Sequence, residues 1–195
     1  MGKVNWKPGN MVYPLPAALI SCGWNEENYN LITISWTGTV CTNPPMVYIS
    51  VRPERHSYDL IKESGEFVIN LTTKSMAKET DWCGVKSGKD FNKFKETGLT
   101  PIAGEQVKAP IVKESPISIE CKVKEIVSLG SHDMFIADVV NVVADEAYLD
   151  PETGSFDLSK AEPIAYSHGH YFALGEGLGR FGHSVQKKKN IKRKK

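Results

Sequence analysis

The stretch NLITISWTGTV, residues 30–40, carries a hydroxyl side chain at every second position. The hydroxyl residues are Thr33, Ser35, Thr37 and Thr39, and Ile32, Ile34, Trp36 and Val40 fill most of the positions between them. Successive side chains of an extended strand point to opposite faces. The pattern therefore predicts one strand with an apolar face and a face of hydrogen-bonding groups.

Further strands are predicted on both sides of this stretch. Residues 12–24 indicate an extended entry and a first strand, and the apolar run MVYISVRP indicates a buried strand that ends at Pro53. Residues 66–71 indicate another strand. Residues 117–123 alternate between apolar and polar side chains, as in a half-buried strand. MFIADVVNVVADEAYL is predicted to form a hairpin with residues 117–123 across the turn GSHD. PIAYSHG and YFAL add late strands. We expect an antiparallel meander at the start and a mainly β barrel, closed or half open.

Helices are expected to be few and short. Ser57 is positioned to cap a helix that has Asp59 in its first turn and stops at Gly65. Residues 75–94 indicate one or two short helices, and the Gly- and Pro-rich residues 97–116 indicate a long surface excursion.

Composition and charge indicate one globular domain and a basic tail. The 195-residue chain has a net charge of +1, but residues 187–195 hold seven of its 24 Lys and Arg residues. We expect a domain over residues 1–186, with a net charge near −6, and a disordered tail over residues 187–195. Nucleic-acid binding by the tail is the less favoured interpretation. No apolar run is long enough to span a membrane, so a cytoplasmic protein is expected.

Several motifs do not support a function. GLGRFG matches a dinucleotide-binding glycine pattern, but the chain ends before the helix and second strand that such a site needs. GVKSGKD has the wrong spacing for a phosphate-binding P-loop. His168 and His170 would share a strand face, with His183 as a third partner, yet no acidic or thiol ligand completes a metal site. The four cysteines are widely spaced, as expected of reduced thiols: Cys22, Cys41, Cys83 and Cys121.

The strongest candidate site follows the buried strand. VRPERHS gathers Arg52, Arg55 and His56 ahead of the helix that Ser57 is expected to cap. Helix N-termini and guanidinium groups both favour phosphate, although a capped helix with solvated arginines is an alternative interpretation. If the hydroxyl row faces the same cleft, the site suits a ligand with a phosphate and a flat ring, such as FMN. The alternative for the hydroxyl row is a solvent-facing sheet surface.

The residues that carry these features resemble a known family. Residues 30–71 are similar to the core signature of the flavin reductase-like, FMN-binding split-barrel family, in particular its flavoredoxin-like branch. DWCGVKSGKDFNKF is similar to the segment that follows in that branch, and the resemblance covers most of residues 12–174.

The resemblance implies a Greek-key split barrel, a homodimer and FMN at or near the subunit interface. It implies that Thr33, Ser35 and Trp36 line the flavin ring. A second group, Gly38, Thr39, Val40 and Cys41, would follow the ribityl and phosphate side. The phosphate would be bound by Arg52, Arg55, His56 and Ser57. Asn70 and Lys93 match positions near the flavin, and His170 or Tyr171 could border the open face of the ring.

The function expected from this resemblance is an FMN-dependent oxidoreductase. No catalytic protein residue and no metal are expected, because the flavin carries the chemistry. Reduced nicotinamide, NAD(P)H, or a redox partner protein would supply electrons. A non-catalytic flavin-binding or storage protein is the alternative. The sequence leaves open the choice of NADH or NADPH, the acceptor, and whether FMN stays bound or cycles.

Overall fold

The computed structural model describes residues 2–185, which form twelve strands and three short α-helices. The strands are β1 (Leu15–Pro16), β2 (Ala18–Cys22), β3 (Asn30–Ile34), β4 (Thr37–Thr42), β5 (Pro45–Val51), β6 (Glu66–Leu71), β7 (Pro101–Ile102), β8 (Ile111–Val112), β9 (Ile117–Ser128), β10 (Asp133–Ala144), β11 (Ile164–Ser167) and β12 (His170–Ala173). The helices are α1 (His56–Ser64), α2 (Ala77–Val85) and α3 (Lys93–Thr97). The expectation of a mainly β protein with a few short helices is confirmed.

Seven strands form the main antiparallel sheet, in the order β3-β2-β6-β9-β10-β5-β4. The hydroxyl-rich stretch is therefore not one strand, as the alternation predicted, but the two opposite edges of this sheet. The chain leaves β3 after Ile34 and re-enters the sheet at Thr37, while the Trp36 carbonyl accepts a hydrogen bond from the Ser50 N–H at 2.8 Å. The predicted meander is interrupted at this point. β2 pairs with β3 and β4 pairs with β5, but β3 and β4 lie at opposite edges of the sheet.

A single apolar core joins the two halves of the sheet. Ile32 from β3 and Ile49 from β5 belong to the same buried cluster, together with Phe67 and Phe135 from the central strands. β3 is one edge strand of the sheet and β5 is next to the other, so a sheet that brings both to one core must curve around it, as in a barrel. Helix α1 packs onto this core through Tyr58, Leu60 and Ile61.

Helices α2 and α3 cover the outer side of β2 and β3. Leu19 and Leu31 point away from the main core into a second cluster with Met76, Cys83 and Phe94. One or two short helices were predicted within residues 75–94. α2 lies in this range, and α3 begins at its end, after residues 86–92. This packing brings the end of α2 and the following segment next to β3.

The segment over residues 97–116 is more buried than the predicted surface excursion. It forms the short hairpin of β7 and β8, and Val107, Ala109, Ile111 and Val112 are buried. It also covers a face of β9 that alternation assigned to solvent. Glu120 is fully buried there, and its carboxylate accepts the Glu105 and Gln106 N–H groups at 2.9 and 2.6 Å.

Strand β11 pairs with β1 on one side and β12 on the other, in a separate three-stranded sheet. His168 lies in the tight turn between β11 and β12, with φ of 49°, so it does not share a strand face with His170 as predicted.

Within residues 2–185 no helix is long and apolar enough to cross a membrane. The predicted basic tail, residues 187–195, lies outside the described residues.

Candidate functional site

Two adjoining cavities lie where β3, β5, α1 and α2 meet. The large cavity has a volume of about 390 Å³ and the small cavity about 190 Å³. Ile32, Arg55 and Gly84 line both of them, so the two cavities meet at these residues. Volumes of about 300–1,000 Å³ are typical of small-molecule sites.

The large cavity brings together residues from distant parts of the chain. Five of its residues come from the hydroxyl-rich stretch, and the others come from β5 and the residues after it, α2, the β9–β10 turn and the β11–β12 hairpin. They are Ile32, Thr33, Ile34, Ser35 and Trp36, then Ser50, Val51, Arg52, Arg55, Asp81, Gly84, Val85, His132, Tyr166, Gly169 and Tyr171.

Aromatic side chains form much of the wall of the large cavity. The Trp36 and His132 rings are almost parallel, with centroids 6.4 Å apart and an interplanar angle of 4°. Tyr166 lies 6.4 Å from Trp36 and 5.8 Å from Tyr171. Burial and the neighbouring Asp81 raise the pKa of Tyr171 to about 12, so its hydroxyl is protonated near neutral pH. The cavity therefore offers flat apolar surfaces and neutral polar groups, which suit a planar ligand.

The Thr33 hydroxyl is committed to the fold. It donates a hydrogen bond to the Thr80 carbonyl of α2, so its oxygen is left to accept rather than to donate. Gly84 of α2 lies against the same side chain, because a Cβ at Gly84 would stand 3.3 Å from the Thr33 Cβ. Helix α2 thus lies close to β3 where the two cavities join.

The small cavity opens at the N-terminus of α1. Arg55 is the N-cap residue and makes no side-chain capping hydrogen bond. The predicted cap, Ser57, lies instead in the first turn, where its hydroxyl accepts a hydrogen bond from the Asn30 amide at 2.8 Å. Since the first N–H groups of a helix have no intrahelical acceptor, this end of α1 is suited to an anion.

Lys93 places a buried cation in the small cavity. Its side chain is only 3% exposed, and its Nζ donates to the Cys83 carbonyl at 2.7 Å. No carboxylate among residues 2–185 forms an ion pair with it. Burial lowers the pKa of Lys93. Burial also raises the pKa of the nearby thiols of Cys22 and Cys83, to about 12 and about 11, so neither supplies a balancing negative charge near neutral pH.

The predicted phosphate residues are divided between the cavities. His56 and Ser57 line the small cavity, and Arg55 lines both. Burial lowers the pKa of His56, and the nearby Lys89 lowers it further. Arg52 lines only the large cavity, where its guanidinium lies 3.1 Å from the Glu54 carboxylate. Arg52 therefore shares a cavity with Arg55 but not with His56 or Ser57.

The predicted ribityl-side group is not brought to either cavity. Gly38, Thr39, Val40 and Cys41 lie on β4, at the far edge of the sheet from β3. Their placement follows from the break at Ser35 and Trp36, which carries the chain to the other edge. Of the two residues proposed to border the ring, Tyr171 lines the large cavity and His170 is exposed outside it.

Asn70 also lines neither cavity. It is fully buried, and its amide nitrogen donates to the Leu19 carbonyl at 3.0 Å and to the Ser21 hydroxyl at 2.9 Å. Its carbonyl oxygen accepts from Val112 N at 3.0 Å and from the Ser118 hydroxyl at 2.7 Å. These contacts join β2, β6, β8 and β9, so Asn70 stabilises the sheet.

Several cavity residues were not predicted. His132 and Tyr166 carry no motif, because they belong to separate segments that only the fold brings together. For the others, the signal was the resemblance of residues 81–94 to the flavoredoxin-like branch: Asp81, Cys83, Gly84, Lys86, Ser87 and Gly88.

Comparisons with known proteins agree with this architecture. Flavoredoxin from Desulfovibrio vulgaris (Miyazaki F) superposes with a TM-score of 0.87 at 30% identity, over 95% of this chain and 100% of that one. Flavoredoxin from Methanosarcina acetivorans superposes with a TM-score of 0.85 at 26% identity, over the same shares. An Archaeoglobus fulgidus protein is 32% identical over 139 residues, which cover 71% of this chain and 77% of the relative.

The sequence profile of the flavin reductase-like domain matches residues 10–175. With the structural similarity to flavoredoxins, this match confirms the split barrel and the predicted resemblance. The chain therefore belongs to the flavin reductase-like domain family.

Proposed function

We propose that this protein binds FMN across the two cavities and acts as an oxidoreductase of the flavin reductase or flavoredoxin type. It would take electrons from NAD(P)H or a redox partner and pass them to an acceptor. Membership of the flavin reductase-like family and similarity to two flavoredoxins support this proposal.

The observation that carries the proposal is the excess positive charge of the small cavity. Arg55, Lys86 and Lys93 line it, and Glu54, the acidic residue in its lining within residues 2–185, is paired with Arg52. A buried ammonium group is costly unless an anion compensates it. Lys93 has no such anion among residues 2–185, and it lies in the same cavity as Arg55, His56 and the uncapped end of α1. A phosphate monoester supplies the charge and the acceptor oxygens that these groups lack. The residues present therefore fit the phosphate end of FMN.

The large cavity fits the other end of the molecule. Trp36 and Tyr166 offer aromatic surface to a flat ring, and the Ser35 and Ser50 hydroxyls offer polar contacts at its edges. Bound FMN would supply the hydride and electron transfer that side chains cannot perform. The residues of this chain would hold the ring, fix its orientation and exclude water from one of its faces.

The homodimer implied by the family resemblance is part of the same proposal. Light scattering of the flavin-loaded protein should give twice the 21.6 kDa mass of the chain. A stable monomer that still binds flavin would contradict the dimer but not the binding of FMN in the two cavities.

The direct test is the visible spectrum of the purified protein after incubation with FMN and gel filtration. A yellow protein with a flavin spectrum is expected. NAD(P)H oxidation is then followed with free FMN or a ferric complex as acceptor. Absence of retained flavin, together with no oxidation of NAD(P)H when free FMN is supplied, would contradict the proposal. Retained flavin that neither NAD(P)H nor a redox partner reduces would favour the storage alternative.

A further inference from the structure

Among the lysines and arginines of the two cavities, within residues 2–185, Arg52 alone lines the large cavity without lining the small one. It lines the large cavity, together with Trp36 and His132, whereas Lys93 and His56 line only the small one. Its side chain is 47% exposed, so it lies at the rim rather than inside. A phosphate held at the end of α1 does not account for a cation in this position.

The charge of Arg52 is available to a ligand. Its ion-pair partner, Glu54, has a side chain that is 62% exposed, and ion pairs between exposed groups contribute little stability. The neighbouring ring of His132 is neutral near neutral pH, because burial and the adjacent Arg52 lower its pKa. The only other cationic residue in the lining of this cavity, within residues 2–185, is Arg55, which the small cavity shares.

A molecule that exchanges electrons with the flavin ring has to enter the large cavity. A nicotinamide ring would lie against the flavin there, because reacting atoms have to approach to about 3–3.5 Å. The diphosphate of the dinucleotide is one ribose away from the nicotinamide, so it would reach the rim. A guanidinium group is well suited to phosphate, since its planar donors match pairs of phosphate oxygens.

We propose that Arg52 forms a second phosphate site, separate from the flavin phosphate site, that binds the diphosphate of the nicotinamide dinucleotide donor. This inference rests on the proposed function, because it assumes that the flavin occupies the two cavities. It assigns Arg52 to donor recognition and leaves Arg55, His56 and Lys93 with the flavin phosphate.

The first experiment measures binding without turnover. NAD⁺ is titrated by calorimetry into the FMN-loaded wild type, Arg52→Gln, Arg52→Lys and the exposed control Lys113→Gln. Arg52→Gln should weaken NAD⁺ binding by about tenfold, as expected for loss of one charge-assisted contact at a half-exposed site. Arg52→Lys should fall between Arg52→Gln and the wild type, and Lys113→Gln should match the wild type. All four proteins should retain FMN to within about twofold.

The second experiment separates donor recognition from other roles. The KM for NADH is compared with that for N-benzyl-1,4-dihydronicotinamide, a donor without phosphate. Arg52→Gln should raise the KM for NADH and leave the KM for the phosphate-free donor unchanged. The rise should be the same whether the electron acceptor is neutral or anionic. An effect confined to the anionic acceptor would assign the site to the acceptor and overturn the proposal.

Three further results would overturn the inference while leaving the flavin site in place. They are unchanged NAD⁺ binding in Arg52→Gln, equal impairment with both donors, and an FMN-loaded wild type that no nicotinamide donor reduces. Loss of FMN from Arg52→Gln alone would return Arg52 to the flavin phosphate site. Failure of the wild type to bind FMN would instead contradict the proposed function, and the inference with it.

Discussion

The Nζ of Lys93 and the carbonyl oxygen of Cys83 lie 2.7 Å apart in the small cavity, and this hydrogen bond fixes a buried cation beside the N-terminus of α1. Lys93 begins α3, while Cys83 belongs to the last turn of α2. The contact therefore joins the two helices that cover β2 and β3. It also directs the charge of Lys93 toward the position proposed for the flavin phosphate.

Replacing Lys93 should weaken FMN binding strongly. Lys93→Gln removes a charge-assisted contact worth about 1.5–3 kcal/mol, so the Kd for FMN should rise by roughly 10- to 150-fold. Lys95→Gln is the matched control, because Lys95 is an exposed residue of the same helix. Quenching of flavin fluorescence measures the Kd for FMN of each variant. Equal affinities for the two variants would show that Lys93 does not contact the ligand.

The lowered pKa of Lys93 predicts opposite pH trends for stability and ligand binding. In the range between its folded and unfolded pKa values, the unfolded chain binds more protons, so the apo protein gains stability as the pH rises through this range. FMN affinity should fall over the same range, because Lys93 loses its charge. Urea unfolding and FMN titration at a series of alkaline pH values measure the two trends. In Lys93→Gln, the stability of the apo protein and its FMN affinity should both depend less on pH over this range.

Asn70 should matter for stability rather than for the flavin. Asn70→Ala leaves the buried N–H of Val112 and hydroxyl of Ser118 without their acceptor, at a cost of about 1–3 kcal/mol for each group. The free energy of unfolding of the apo protein, measured in urea, should fall accordingly. The FMN affinity of the folded fraction should stay within about twofold of the wild type. A large loss of affinity without loss of stability would place Asn70 in the binding site.

Gly88 should tolerate no side chain. A Cβ there would overlap the side-chain amide of Asn30. Asn30 is buried, and its amide nitrogen donates a hydrogen bond to the Ser57 hydroxyl at 2.8 Å. Gly88→Ala should displace that amide and lower the free energy of unfolding by about 1–3 kcal/mol, the cost of one disrupted buried hydrogen bond. It should also weaken FMN binding, since Asn30 and Ser57 line the small cavity. Gly175→Ala, at an exposed glycine with open space around it, should leave both quantities unchanged.

Much of the fold followed from local patterns in the sequence. The stop of α1 at Gly65 was predicted and is confirmed by its left-handed conformation, with φ of 68°. The hairpin of β9 and β10 and the strands β6, β11 and β12 follow equally simple alternation and turn signals. The break between β3 and β4 could not be predicted, because Ser35 and Trp36 continue the period of two without a Gly or Pro to mark the bend.

The site was predictable where one segment carries it and unpredictable where several meet. Arg55, His56 and Ser57 are adjacent in sequence, and the structure places all three in the small cavity. The separation of Arg52 from His56 and Ser57 depends on where β5 ends relative to α1, which no local pattern encodes. The burial of Glu120 likewise depends on a segment about 15 residues earlier that supplies its N–H donors.

The most direct test of the two-cavity account compares FMN with riboflavin, which lacks only the phosphate. Fluorescence titration of the wild type should show FMN binding at least about tenfold tighter than riboflavin, because a single charge-assisted contact is worth about 1.5–3 kcal/mol. In Lys93→Gln this preference should largely disappear, while riboflavin binding changes little. Equal affinities of the wild type for the two flavins would contradict the assignment of the small cavity to the phosphate.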